Sequence, residues 1–159
     1  MENTHHFFLK DFAGLNTVEL YQILRLRSEI FVVEQHCPYQ DLDNKDIISS
    51  HLMCFARNEL IGYARILPPG ASYSEPSIGR VAVAFTERKK GLGRKLMAEA
   101  IESSNTLFPG KDIVISAQNY LREFYADLGF IAEGSVYDED GIPHIRMRRK
   151  AKEDGAMLR

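Results

Sequence analysis

The sequence predicts a single α/β domain in which one mixed β-sheet is flanked by helices. Its 159 residues, 45% of them hydrophobic, suffice for one buried core, and no apolar run approaches the length of a bilayer span. Strand-like runs alternate with three helix-like stretches, a pattern typical of mixed α/β sheets. We expect residues 1–150 to form the domain and residues 151–159 to form a polar tail.

The first half of the chain predicts a strand, a helix and a hairpin. Residues 6–12 favour a short strand. Asn16 and Glu19 have the spacing of a capping box, which begins a helix with apolar residues on one side. Two apolar runs, residues 52–56 and 60–67, are separated by a short polar segment and therefore predict a hairpin.

The second half adds four strands and two helices. Gly129 suits the position just after a helix, and Asp140 with Gly141 predicts a turn between the last two strands. The elements follow in this order: strand 78–85, helix 92–101, strand 113–115, helix 121–128, strand 130–136 and strand 144–148. The whole chain therefore reads β-α-β-β-β-α-β-α-β-β.

Composition and residue spacing exclude several classes of protein. A net charge of −2 argues against nucleic-acid binding, which normally needs a broad basic surface. The N-terminus lacks the pattern of a secretory signal, and we expect no membrane association. Cys37 and Cys54 are isolated thiols and the histidines lack metal-ligand spacing. We therefore expect no metal and a reducing, cytoplasmic setting.

The most informative segment is a basic glycine loop at residues 88–95, between a predicted strand and a predicted helix. Five of its eight residues are Arg or Lys. Glycine lets backbone N–H groups approach an anion, and a helix N-terminus adds partial positive charge. A P-loop and a dinucleotide fingerprint are excluded, the latter because Leu96 stands where a third glycine is needed. The loop predicts a phosphate-bearing cofactor, although a solvated basic loop before an amphipathic helix fits the same eight residues.

The spacing of Arg88, Gly91 and Gly93 resembles the pyrophosphate-binding signature of the GNAT superfamily of acetyl-coenzyme A-dependent acetyltransferases. Further segments extend the resemblance over most of the chain, to the ElaA-like branch of that superfamily. These segments are residues 24–27, 31–35, 37–39, 63–65, 75–81, 124–125, 129–130 and 139–144.

The resemblance implies a GNAT fold, with a mostly antiparallel sheet whose central strands splay to form a cleft for coenzyme A. It implies acetyl-coenzyme A as co-substrate and a primary amine as acceptor, attacked directly in a ternary complex. Backbone groups of strand 78–85 would bind pantetheine, and the basic glycine loop would bind the pyrophosphate. The residues thus assigned to the cofactor are Val81, Val83, Arg88, Lys89, Gly91, Leu92, Gly93, Arg94, Asn119 and Tyr125.

Two residues carry the implied chemistry. The backbone N–H of Val83 would receive the thioester oxygen, and the Tyr125 hydroxyl would act as general acid towards the coenzyme sulfur. On helix pattern alone, Tyr125 also fits a core tyrosine. Asn119 likewise fits an ordinary helix N-cap.

The general base and the acceptor stay open at this point. An alkylamine with a pKa of about 10.4 must lose a proton before it attacks, and strand 78–83 carries no carboxylate. Glu34, Glu75 and His144 remain as base or substrate-binding candidates. Each also fits an ordinary role, respectively a helix-end ion pair, a loop charge and a turn residue. The sequence determines neither the acceptor nor the oligomeric state. A homodimer is compatible with it.

The acidic segment at residues 41–46 has some features of a calcium loop, but it lacks the central glycine and the terminal glutamate. We interpret it as a solvated acidic loop. Together with Glu34 and Glu75, such a loop would favour a cationic acceptor through charge complementarity.

Two other functions fit parts of the sequence. A non-catalytic coenzyme A-binding sensor would keep the glycine loop and lose the general acid, so the presence of Tyr125 argues against it. An acyl-homoserine lactone synthase uses an acyl carrier protein and has less need of a cradle for free coenzyme A, so the intact loop argues against it. The residues that resemble such synthases are Arg27, Phe31, Glu34, Asp43, Asp46 and 65–68.

Overall fold

The computed structural model describes residues 4–152. Within that range, strands and helices follow the predicted order. The helices are α1 (Thr17–Arg27), α2 (Leu92–Leu107) and α3 (Arg122–Asp127). The strands are β1 (His6–Asp11), β2 (Ser50–Ala56), β3 (Glu59–Leu67), β4 (Ser77–Val83), β5 (Ile113–Gln118), β6 (Ile131–Glu139) and β7 (Ile142–Arg149). Most of the predicted polar tail, residues 153–159, lies outside the described residues.

The α/β fold with helices around antiparallel strands is confirmed, but the expected single sheet is divided in two. One sheet has the order β1-β2-β3-β4 and the other β5-β7-β6, with antiparallel pairing in each described ladder. Near one end of β4, the Val114 amide donates a hydrogen bond of 3.1 Å to the Pro76 carbonyl. No ladder joins β4 to β5 among the described residues, so the two sheets separate along these strands.

Helix α1 begins at the predicted capping box. The Asn16 side chain accepts a hydrogen bond from the Glu19 amide (2.8 Å), and the Glu19 carboxylate accepts one from the Asn16 amide (2.9 Å). The predicted helix is α-helical only as far as Arg27, and residues Ser28–Glu34 continue it as a π-helix. Short π-helical segments are frequent at functional sites, and this one ends at Glu34.

Strand β4 contains a bulge. Tyr63 pairs with Ala82 and Arg65 pairs with Gly79, so β4 has one more residue than β3 between the two pairs. Arg80 lies in this bulge with φ at 50°, a backbone conformation that costs a non-glycine residue free energy. The bulge interrupts the β3–β4 ladder beside the gap between the two sheets.

Helix α2 packs its apolar face across both sheets and so builds the main core. Leu96, Met97 and Ala100 are fully buried there, with strand residues from both sides. Tyr125 of α3 belongs to the same cluster of buried side chains. The core thus fixes the start of α2 and the face of α3 beside the line where β4 and β5 separate.

The interpretation of residues 41–46 as a solvated acidic loop is wrong, because arginines from other elements cover its carboxylates. Arg27, fully buried, bonds Asp41 (2.9 Å) and Asp46 (2.7 Å). Arg65 of β3 bonds Asp46 (3.0 Å) and binds both carboxylate oxygens of Asp43 (2.8 Å each). The charged hydrogen bonds of this buried ionic network offset much of its loss of hydration, although the Arg65 Nε atom is buried without a hydrogen-bond partner among the described residues.

Arg80 extends the buried ionic network to the bulge of β4. Its Nε lies 2.7 Å from Asp41 Oδ1, and its NH2 group donates to the Asp41 carbonyl at 3.0 Å. The network therefore contains three arginines and three aspartates, and their charges balance. The strained backbone at Arg80 aims this side chain at the loop.

We expect acid to weaken the protein through this network. Burial alone would raise the pKa of Asp46, but Arg27 and Arg65 outweigh it and hold that pKa below its usual value. The pKa of Asp43 is lowered in the same way, with Arg65 again outweighing burial. A carboxylate with a depressed folded-state pKa stabilises above its unfolded pKa of about 3.9, and this stabilisation is lost as the pH falls further.

Thermal melts should therefore be nearly level between about pH 7 and pH 5 and should fall steeply below about pH 4. An Asp46→Asn variant lacks one of these carboxylates, so its melting temperature should fall less steeply over the same acid range. Parallel curves for the two proteins would contradict a role for Asp46 in the acid response.

No helix within residues 4–152 is long and apolar enough to cross a membrane.

Candidate active site

A cleft of about 770 Å³ lies along the line where β4 and β5 separate. It has one end at the start of α2 and another between the π-helix and the β6–β7 hairpin. Seven predicted site residues line it: Glu34, Val81, Val83, Arg88, Gly93, Tyr125 and His144. The other predicted residues, which lie at its border or elsewhere, are Glu75, Lys89, Gly91, Leu92, Arg94 and Asn119. We call the end at the start of α2 the loop end, and the end at the β6–β7 hairpin the hairpin end.

The loop end has the features of an anion site. Gly91 is the N-cap of α2 at φ 82°, it offers no side-chain cap, and the first turn carries no acidic residue. The first N–H groups of a helix have no partner within the helix, and the helix dipole makes this end positive. Leu92 is buried in the core, so only its backbone is available to a ligand.

Gly93 is a glycine that the fold does not require. Its backbone is not in the left-handed region, and an added Cβ would have Val83 Cγ2 as its nearest neighbour, at 4.0 Å. Alanine is also the better helix former by about 1 kcal/mol. Since Gly93 lines the cleft, the absence of a side chain leaves space for a ligand against the start of α2.

Arg88 is already paired in this structure. Its guanidinium binds both carboxylate oxygens of Glu34, with 2.9 Å between Nη2 and Oε2, and its Nε donates to the Val83 carbonyl at 3.2 Å. Glu34, predicted as a base or substrate-binding residue, thus contacts the first residue of the glycine signature. The π-helix carries Glu34 to the loop end of the cleft.

Two other basic residues of the glycine loop, Lys89 and Arg94, are more exposed than Arg88. Lys89 is exposed and has no ion pair within residues 4–152. Arg94 lies 3.5 Å from Asp127 and over the ring of Phe124 at 6.0 Å. Exposed pairs of this kind contribute little stability, so both cations remain available to an anionic ligand.

The exposed edge of β4 lies along the cleft. The Ala84 amide donates to the Ile61 carbonyl of β3 at 2.8 Å. Because successive backbone amides in an extended strand point in opposite directions, the Val83 N–H points away from β3, towards the gap. Val81 has the same parity, and the bulge lies next to it. The edge can therefore donate to and accept from an extended ligand.

Tyr125 is a buried core residue that also borders the cleft. Its ring is buried, with edge-on contacts to Phe124 (5.1 Å) and Phe130 (5.9 Å), yet it lines the cleft. Its hydroxyl makes no hydrogen bond within the described part of the chain. Burial, with a further contribution from Tyr120, raises its pKa to about 12. The phenol therefore keeps its proton throughout the neutral range.

Asn119 is not the N-cap of the helix that follows. It begins a 3₁₀ turn (Asn119–Leu121), whose N-cap is Gln118, and the N-cap of α3 is Leu121. The N-cap interpretation is therefore wrong. The Asn119 Oδ1 atom is buried and has no hydrogen-bond partner among the described residues.

The hairpin end carries a polar cluster that the sequence prediction largely missed. His144 Nε2 lies 3.1 Å from Glu139 Oε2, and His144 Nδ1 lies 2.7 Å from the Ile142 carbonyl. Ser116 of β5 donates to Glu139 at 3.2 Å and also bonds the Tyr137 hydroxyl. His144 had been predicted as a site residue, but Glu139 had appeared only within segment 139–144 of the family resemblance. Glu139 and His144 lie on opposite sides of the predicted turn at Asp140 and Gly141. This spacing was the signal that could have identified Glu139.

Glu75 lies away from the cleft. Its carboxylate is 2.6 Å from Arg148 NH1, and Asp112 and Glu133 bind the same guanidinium. The Arg148 hydrogen bond outweighs desolvation and lowers the pKa of Glu75. This geometry gives Glu75 a structural role and removes it from the candidates for the base.

The expected attraction of a cationic acceptor loses most of its basis. The three aspartates of residues 41–46 are balanced by arginines, Glu34 is paired with Arg88, and Glu75 is elsewhere. At the hairpin end, the exposed carboxylates of Glu139 and Asp140 remain. Within residues 4–152, no cluster of His, Cys, Asp and Glu is suited to hold a metal ion.

Comparisons with known proteins identify relatives of this chain. The family model described as "Acetyltransferase (GNAT) domain" matches residues 25–151. The chain is 41% identical to Protein ElaA of Escherichia coli over 151 residues, which are 94% of this chain and 95% of ElaA. The crystal structure of Escherichia coli ElaA superimposes with a TM-score of 0.88 and covers 92% of this chain and 100% of that one.

Two further solved structures share the fold. An acyl-CoA N-acyltransferase from Pseudomonas aeruginosa is 40% identical, with a TM-score of 0.87 over 92% of this chain and 99% of that one. An aminoglycoside 6'-N-acetyltransferase complexed with coenzyme A has a TM-score of 0.67 over 90% of this chain and 96% of that one. At 16% identity, the latter shows a likeness of fold alone.

Proposed function

Because the chain belongs to the GNAT acetyltransferase family, we propose that it transfers the acetyl group of acetyl-coenzyme A to a primary amine by direct attack in a ternary complex. The observation that carries this proposal is the loop end of the cleft. A helix N-terminus without a side-chain cap, a glycine that the fold does not require and the basic side chains of Arg88, Lys89 and Arg94 lie together there, beside the exposed edge of β4. The relative from Pseudomonas aeruginosa, an acyl-CoA N-acyltransferase, supports a coenzyme A thioester as the co-substrate.

The cofactor would lie along β4 with its pyrophosphate at the start of α2. Backbone N–H groups of residues 91–94 and the side chains of Arg88, Lys89 and Arg94 would bind the phosphate oxygens. Val81 and Val83 would bind the pantetheine amides through their backbone groups. The buried, unpartnered Oδ1 of Asn119 lies in the segment after β5 and is suited to accept a further amide hydrogen bond.

The chemistry then needs an oxyanion donor and a proton for the departing sulfur. The Val83 N–H, which points into the gap, would stabilise the tetrahedral oxyanion. The Tyr125 hydroxyl, protonated and without a bound partner, would donate to the thiolate. The thioester would thus be held between β4 and α3, with the amine approaching from the hairpin end.

A synthase that uses an acyl carrier protein is the weaker proposal. Four of the five charged residues that suggested it, Arg27, Asp43, Asp46 and Arg65, belong to the buried ionic network. Their role in the fold accounts for their presence without a second substrate. The open loop end also supports a free coenzyme as the acyl donor. A sensor without catalysis would leave the unbonded Tyr125 hydroxyl without a role.

The function is tested by presenting a library of primary amines with acetyl-coenzyme A and measuring free thiol. We expect at least one amine to release thiol faster than the protein-free reaction, with an acetylated amine as the co-product by mass spectrometry. Coenzyme A binding by calorimetry, together with no turnover of any amine, would favour the sensor instead.

Gly93→Ala should separate cofactor binding from folding. The new methyl group has room in the empty protein, so the melting temperature should stay level or rise, in line with a helix-propensity gain of about 1 kcal/mol. It would occupy the space expected for the pyrophosphate, and we expect the Kd for coenzyme A to rise by about tenfold or more. Calorimetry and thermal melts measure the two effects.

Gly110→Ala is the matched control, since it adds the same methyl group in a turn outside the cleft lining, where nothing lies within 4 Å. Its positive φ of 75° predicts a small loss of stability, with coenzyme A affinity unchanged. Parental affinity in the Gly93→Ala protein would place the pyrophosphate elsewhere.

A further inference from the structure

We propose that Glu139 and His144 together form the base that takes a proton from the acceptor ammonium. This inference rests on the proposed amine acetylation and names the group that the sequence left open. The pair lies on the β6–β7 hairpin and faces the same cleft as Tyr125. No other carboxylate and imidazole lie within ion-pair distance of each other within residues 4–152.

The hydrogen bonds of His144 determine which of its two ring nitrogens lacks a hydrogen in the neutral form. The Ile142 carbonyl can only accept, so the Nδ1 atom at 2.7 Å must carry a hydrogen. In the neutral ring, Nε2 is then a lone-pair acceptor. That lone pair faces the carboxylate oxygen of Glu139 at 3.1 Å, where two acceptors meet with no hydrogen between them.

The geometry leaves a place for one proton between the two side chains. A proton on the line between Nε2 and Oε2 replaces the repulsion of two acceptors with a charge-assisted hydrogen bond. Either atom can hold that proton, so the two side chains act as one proton acceptor. The Glu139 side chain is 49% exposed and His144 is 9% exposed, so the pair joins the buried cleft to solvent.

The surroundings of the pair are polar, and no Lys or Arg within residues 4–152 forms an ion pair with Glu139. Ser116 of β5 donates to Glu139 Oε1, and the Tyr137 ring stacks on His144 at 6.3 Å. Within residues 4–152, His144 is the one ion-pair partner of Glu139. The other titratable or charged groups beside the pair are Cys37, Tyr39, Tyr73, Asp138, Asp140 and Arg146.

The proton and electron balance closes without any further reagent. An N–H bond of the ammonium breaks, and its proton binds the Glu139–His144 pair and leaves to solvent. The freed lone pair forms the C–N bond, and the C–S bond breaks with its electrons going to sulfur. Tyr125 protonates the sulfur and recovers a proton from the second N–H of the attacking nitrogen. The products are the amide, the thiol and one released proton.

Glu139→Gln tests the pair, because it keeps the size and removes the negative charge. The probe is the alkylamine that the amine screen ranks first. At neutral pH we expect kcat/KM to fall by about 10²–10⁴-fold. The deficit should shrink as the pH rises towards the pKa of the ammonium, because the amine then arrives without the extra proton. A purely structural role for Glu139 would give a deficit that is the same at every pH.

A second measurement uses the alkoxyamine in which an oxygen replaces the methylene next to the amino group. This isostere is already neutral at neutral pH and needs no base, so Glu139→Gln should slow it much less than the alkylamine. Glu133→Gln is the matched control, since it also removes a carboxylate from β6. The Glu133 carboxylate contacts Arg146 and Arg148 and not the Glu139–His144 pair. Its pH profile should follow the parent.

The outcomes separate this inference from the proposed function. If the parent acetylates amines and Glu139→Gln keeps the parental pH profile, the base lies elsewhere and the acetyltransferase proposal stands. An equal loss for both amines at every pH would also overturn the inference. If the parent acetylates no amine although it binds coenzyme A, the proposed function fails and the base assignment fails with it.

Discussion

Replacing Tyr125 with phenylalanine should lower kcat by about 10²–10⁴-fold and leave the affinity for coenzyme A nearly unchanged. The substitution keeps the ring and its contacts with Phe124 and Phe130, so the core should hold. It removes a hydroxyl that has no hydrogen-bond partner among residues 4–152, so its loss leaves no buried group unsatisfied. Turnover with the best amine, calorimetry and a thermal melt measure the three quantities.

Tyr21→Phe serves as the control for this substitution, because Tyr21 is an exposed tyrosine on α1 and lies outside the cleft lining. We expect parental turnover from it. A core tyrosine without a chemical role would give the reverse pattern at Tyr125, with lower thermal stability and near-normal kcat. Near-parental kcat in a folded Tyr125→Phe protein, with chemistry rate-limiting, would leave water as the proton donor.

Asp46→Asn should destabilise the protein by about 3–5 kcal/mol. Asp46 Oδ1 lies 2.7 Å from Arg27 and 3.0 Å from Arg65, and both guanidinium groups are buried. The amide keeps the shape of the carboxylate but removes its negative charge. The buried guanidinium groups of Arg27 and Arg65 would then have only Asp41 and Asp43 as anionic partners. For a chain of this size, each kcal/mol lowers the melting temperature by about 2–4 °C. Urea unfolding at neutral pH measures the free energy directly.

Glu102→Gln provides the comparison, since Glu102 forms an exposed ion pair with Lys152 at 3.7 Å. Exposed pairs of this kind are worth at most about 1 kcal/mol, and we expect little change in stability. A loss below about 1 kcal/mol in Asp46→Asn as well would mean that water enters the buried ionic network and replaces the missing charge.

The sequence was sufficient for the elements that depend on local signals. Asn16 and Glu19 placed the start of α1 because a capping box uses only neighbouring backbone groups. Gly129, with φ at 97°, placed the end of α3 for the same reason. The position of the glycine loop directly before α2 was predictable because its glycines and the helix start are contiguous in the chain, while its role in anion binding stays a prediction.

Features that depend on contacts between distant residues were not predictable. Arg27 and Asp46 are 19 residues apart, and a charged residue on a helix is normally solvated. Only the packing of α1 beside β3 buries this arginine and turns an acidic loop into a structural element. Glu34 and Arg88 are 54 residues apart, and their pairing required the π-helix that the apolar pattern could not distinguish from an α-helix.

The pairing of Glu34 with Arg88 also means that a phosphate ligand must compete for its arginine. Both side chains are partly exposed, so the exchange would deduct at most about 1 kcal/mol from cofactor binding, or about fivefold in apparent affinity. Once displaced, Glu34 would regain a free negative charge on the cleft lining. A loaded cleft would then attract a cationic amine more strongly than an empty one, and by reciprocity a bound amine would strengthen cofactor retention.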